Sequence, residues 1–102
     1  MSENETPQPV DFNAFLVEMI DMAAAIAWSK LGLQPDIRSG KIEPDLSQAK
    51  LAIDTIAQLS SLIEPQLDDE AKRQMGNLVG NLRINFVSKM QEATNKSEDT
   101  QS

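Results

Sequence analysis

The sequence contains no cysteine, no histidine and no tyrosine. Without thiols there is no disulfide and no cysteine nucleophile. Without thiolate and imidazole the usual zinc ligand sets are gone, and so is the commonest general base. A carboxylate-only metal site or a serine–lysine pair remains chemically open, but nothing in the chain gathers to build either. The nearest approach to a catalytic grouping is Arg83 or Lys30 beside carboxylates. Basic charge is also scarce: nine Lys and Arg stand against sixteen Asp and Glu, a net charge of −7. A field of that sign repels phosphates, so nucleic-acid binding needs a local basic patch. Lys72, Arg73, Arg83 and Lys89 fall together near the end of the chain, offset by Asp68, Asp69 and Glu70. Residues 1–45 hold eight acids and three bases, so the acidity is concentrated in that half. The expectation is a non-enzymatic protein with no catalytic, cofactor or metal site and no nucleic-acid partner.

No secretory signal is expected, because Met1 is followed by the polar, acidic stretch SENETPQP, where a signal needs positive charge and then an apolar core. The absence of cysteine is compatible with a cytoplasmic location. The 102 residues make room for one domain.

The one long apolar run is Phe12–Leu31, with only Asn13, Glu18, Asp21, Ser29 and Lys30 polar. Its length fits a membrane span. However, Glu18 and Asp21 sit near its middle, and each would cost about 2.5–3.5 kcal/mol at a bilayer centre. A buried helix is the expectation, with no membrane span. Asp11 is placed to cap the helix start, Val10 and Phe15 occupy the two positions of a hydrophobic staple, and Gly32 with Leu33 supplies a left-handed stop. Phe12, Leu16, Met19, Ala23 and Ile26 form one stripe at helical spacing. Phe15 and Met22 flank it on one side, and Ile20, Ala24, Ala27 and Leu31 on the other. A helix apolar around most of its circumference needs cover, either from the rest of the chain or from a second copy.

Residues 33–44 (LQPDIRSGKIEP) read as a connector, broken by Pro35, Ser39-Gly40 and Pro44. It is taken as a surface crossover that lets the second helix start far from the end of the first. The alternative is a binding loop with Asp36, Arg38 and Lys41 at its tip. Asp45 caps the second helix, whose apolar positions Leu46, Ala49, Ile53, Ile56, Ser60 and Ile63 repeat at three and four. Pro65 stops it. The short link that follows makes the second and third helices antiparallel neighbours. Asp68, Asp69 and Glu70 suit the positive end of the third helix dipole, which explains the triple carboxylate without a metal.

The third helix presents Ala71, Met75, Leu78, Val79, Leu82, Phe86 and Met90 as its core face. Gln74, Asn77, Asn81, Asn85 and Ser88 form a polar stripe beside it, either solvated or an amide ladder against a partner. Gly76 and Gly80 stand one turn apart on the other side, followed by Arg83 and Val87. Interior glycines cost about 1 kcal/mol each relative to alanine, so two on one face suggest close packing by the first helix or by a symmetry mate.

The fold expected is all-α, with helices at about 11–31, 46–64 and 69–90, the last two an antiparallel hairpin. A single helical domain spans 10–91 between disordered tails at 1–9 and 92–102. Dimerisation completes the bundle, since chains with little core of their own commonly gain stability by association. The candidate interface is Met19, Met22, Ala23, Ala24, Ala27, Trp28, Gly76, Gly80 and Val87. The partner expected is a second copy. The alternative is a small binding module that holds an apolar ligand or an amphipathic helix in a groove lined by Met19, Met22 and Trp28.

These pieces resemble one family in their order and spacing. They are Asp11-Phe12 with Phe15-Leu16, Leu31-Gly32 with Pro35, Asp45-Leu46 with Ala49-Lys50 and Ile53-Asp54, Leu67 with Glu70, and Leu82-Arg83 with Phe86. The chain is similar over about residues 11–86 to the small bacterial proteins catalogued as domain of unknown function 1844. The resemblance implies an all-helical bacterial protein and supplies no activity, substrate or catalytic residue.

Overall fold

The structure is a computed structural model that describes the backbone of residues 8–101 and the side chains through residue 95. Three α-helices carry the chain: α1 over Phe12–Lys30, α2 over Leu46–Ile63 and α3 over Asp69–Gln101. No strand occurs among the described residues. The expected tail over residues 1–7, and residue 102, lie outside them.

The caps fall where the side chains dictate. The Asp11 carboxylate accepts from the Asn13 amide at 3.0 Å, and the Asp45 carboxylate accepts from the Gln48 amide at 3.2 Å. Asp68 does the same for Ala71 at 2.8 Å, which occupies the first acid of the Asp68-Asp69-Glu70 run as a helix cap. At the end of α1, Gly32 takes φ +84°, its amide donates to the Ser29 carbonyl, and the Leu33 amide reaches back to the Trp28 carbonyl at 3.1 Å. That pair of bonds is the Schellman stop expected from Gly32-Leu33. The hydrophobic staple is not closed: Val10 is 88 % exposed. Phe15 packs instead toward Phe12, ring centroids 6.1 Å apart.

The connector does the opposite of what its length suggests. The Asp45 amide donates to the Lys30 carbonyl at 2.8 Å, so α2 begins against the end of α1. Between those clasped ends the chain folds on itself. The Asp36 carboxylate accepts from the Arg38 and Ser39 amides, and the Asp36 amide donates to the Lys41 carbonyl. Gly40 supplies a second positive φ of +72°. A loop that closes on its own hydrogen bonds needs no distance to span, and it makes α1 and α2 antiparallel neighbours.

α2, not α1, is therefore the central element. It packs against both other helices, whereas α1 and α3 make little contact with each other. α2 enters a short 3-10 turn at Glu64–Gln66, where Pro65 removes an amide donor, and α3 returns antiparallel as expected. The core is assembled from Ile20, Ala24, Ala27 and Leu31 of α1 with its following turn, Ala49, Ile53, Ile56 and Ile63 of α2, and Val79 and Leu82 of α3. The face of α1 that packs inward is thus the flank of Ile20 and the alanines. Of the stripe that begins at Phe12, Leu16 and Ala23 pack at the edge of this core, while Phe12 and Met19 remain exposed.

α3 continues past the expected end at Met90 to Gln101. At 1.5 Å per residue it is about 50 Å long, against about 27 Å for α2, so its last turns have no helix beside them. No glycine or proline follows Gly80, so nothing in the sequence breaks the helix.

Candidate functional site

The outer face of α1 is the largest feature that the fold leaves unexplained. Positions 12, 15, 19, 22 and 26 repeat at three and four, the spacing that puts side chains on one stripe of a helix. Phe12 is 63 % exposed, Phe15 48 %, Met19 39 % and Met22 66 %. Ala23 and Ile26 beside them are half-buried. No charged residue falls within the stripe itself: Glu18, one turn from both Phe15 and Met22, borders it, and Asp21 lies further round the helix. A continuous apolar stripe of this length on a helix with only one partner is not the scatter of single hydrophobes that ordinary surfaces show.

The other residues expected at an interface divide between two places. Ala24 and Ala27 are buried against α2, so the small side chains of α1 serve close packing within the chain. Trp28 is half-buried at the edge of that core. Gly76 and Gly80 are not approached by α1: a methyl group added at either would meet no atom within 4 Å. Val87 is exposed beside them on α3. The chain itself therefore offers no neighbour that requires either glycine.

A shallow groove lies on the other side of α1 from Met19 and Met22, lined by Val17 and Asp21 with Leu67, Ala71, Met75 and Leu78. Of the amide stripe, Asn77 and Asn81 are exposed, and the Asn85 side chain donates to the Asn81 carbonyl of its own helix. Sequence reasoning missed the exposed Leu51 and Leu62 on α2. Helical spacing could have found them, since both lie on the side of α2 opposite Ala49, Ile53, Ile56 and Ile63.

Two carboxyl groups have acidities set by the loop geometry. The backbone amides of Ser39 and Arg38 hold Asp36 below the usual carboxylate value. The Gln48 amide and the Ser47 hydroxyl do the same for Asp45. Both are structural acceptors rather than proton donors. Among the described residues no group of three or more His, Cys, Asp or Glu is gathered as a metal site would require.

Among the described residues α1 is the one helix that is long and apolar enough, by length and composition, to cross a membrane. Soluble core helices meet the same description, and Glu18 and Asp21 are exposed at its middle.

The architecture defines a small all-α protein, without strands among its described residues, that presents an open apolar helix face. The chain belongs to the family described as domain of unknown function 1844, whose model matches residues 9–88. Searches among curated proteins and among solved structures found no match.

Proposed function

We propose that this protein is a non-enzymatic, cytoplasmic interaction protein that self-associates through the outer face of α1. The observation that carries the reading is the uncharged stripe Phe12–Phe15–Met19–Met22, 39–66 % exposed on a chain of net charge −7. A two-fold pairing sets the same stripe against itself and supplies the second layer that a helix face needs.

Sedimentation equilibrium across a concentration series, read beside helicity, tests the proposal. The full chain is expected to dimerise. Met22→Glu is expected to stay monomeric at the same concentrations with its helicity intact, because Met22 is exposed in the single chain. A fully helical wild-type monomer throughout the micromolar range would sink the reading.

A further inference from the structure

A second apolar surface lies on the other side of the molecule, in the groove between α2 and α3. Ile53, Phe86 and Val87 form its walls, with Lys50, Asp54 and Arg83 at the rim. The depression continues along α2 as far as Leu62, still against Arg83. None of the α1 stripe residues lines it, so self-association through α1 leaves it open.

Its charge is opposite to that of the chain. Residues 71–91 hold four bases and no acid in a protein of net charge −7. Two of these four cations are engaged: Arg73 with Glu70 at 2.8 Å and Lys89 with Glu92 at 3.6 Å. On the rim itself Lys50 is held by Asp54 at 2.8 Å. Arg83 is in no ion pair among the described residues. A guanidinium over an apolar trough is suited to a carboxylate carried on an apolar surface, and it binds that group through two parallel hydrogen bonds. Nucleic acid fits less well, since phosphate binding draws on several free cations and the groove offers one.

We infer that the α2–α3 groove docks an acidic amphipathic helix of another protein, with the helix's apolar side in the trough and one carboxylate on Arg83. The run from Lys50 to Leu62 is about 18 Å of α2, enough to seat roughly three turns of such a helix. This inference concerns a different face from the self-association reading and stands or falls without it.

The test uses the full chain and two synthetic helical peptides with the same leucine face, one with glutamate and one with lysine at its centre. Affinities are measured, and contacts are mapped by amide chemical shifts. The glutamate peptide is expected to shift Ile53, Phe86 and Val87 and to bind at least tenfold more tightly than the lysine peptide. Arg83→Glu should reverse that order, and Arg83→Gln should abolish the preference without reversing it. Equal affinities, an order unchanged by Arg83→Glu, or no shift at those three residues would overturn the inference. So would shifts confined to Phe15, Met19 and Met22, which would move the docking site to α1. Groove shifts that grow with the concentration of the protein alone would assign the groove to a second copy and overturn it equally.

Discussion

Glycine residues in this chain separate into two kinds that look alike in the sequence. Gly32 is required twice over: its φ is +84°, and an added methyl would lie 3.2 Å from the Pro44 ring. Gly80 has an ordinary helical backbone and open space where its side chain would be. Replacing an interior helical glycine by alanine recovers about 0.8–1 kcal/mol of helix propensity when nothing obstructs the methyl group. Gly80→Ala is therefore expected to raise the melting temperature by several degrees, since about 1 kcal/mol moves a domain of this size by roughly 4–8 °C. A thermal melt decides the matter, and a lower melting temperature would mean that another helix sits on that face. The pairing of Gly76 and Gly80 in the sequence suggests close packing, and within this chain that suggestion has no object.

At the scale of elements, the helix starts and the stops of α1 and α2 were legible, and helix faces were only half so. Asp11, Gly32, Asp45, Pro65 and Asp68 act through local hydrogen bonds or ring geometry, which depend on neighbours in the chain, and each does what its type and position imply. The inward face of α1 depends on where α2 lies. Two apolar arcs compete there, and the sequence does not say that Ile20, Ala24 and Ala27 face inward while Phe12, Phe15 and Met22 face out. The deciding contact is Asp45 amide to Lys30 carbonyl, a bond between residues on either side of the connector. The open stripe of α1 was legible as apolar, but not as open.

The connector also sets a pH dependence. Amides hold the Asp36 and Asp45 carboxyls below their ordinary value of 3.8, so each binds a proton less readily folded than unfolded. Each therefore contributes stability that is complete above that value and is lost as pH falls through the lower folded value. Chemical denaturation between pH 5 and pH 2.5 is expected to show stability falling below about pH 4. Asp36→Asn with Asp45→Asn should flatten that limb, while an unchanged limb would place the acid sensitivity elsewhere.

The whole molecule is elongated, with a Cα radius of gyration of 17.5 Å and a longest extent of 69 Å. A compact domain of about 100 residues has a radius near 13 Å. Part of the excess is the overhang of α3, and part is the open arrangement in which α1 and α3 flank α2 with little contact between them. The end of α3 illustrates why the sequence reading stopped short. Apolar periodicity vanishes after Met90, which signals the end of packing, and helix and packing end together in most domains. Here the helix persists because no glycine or proline interrupts it. Residues 91–95 are exposed, and the tie from Lys89 to Glu92 is a partly exposed pair at 3.6 Å, worth at most a few tenths of a kcal/mol. Ending the chain after Gln91 is therefore expected to change stability by less than about 0.5 kcal/mol, as surface changes do. The melting temperature should hold while the helical signal in circular dichroism falls. A drop in melting temperature of several degrees would show that Glu92 and Ala93, which border Leu31, Pro44 and Leu46, close that corner of the molecule. The last turns of α3 would then be part of the fold rather than an extension of it.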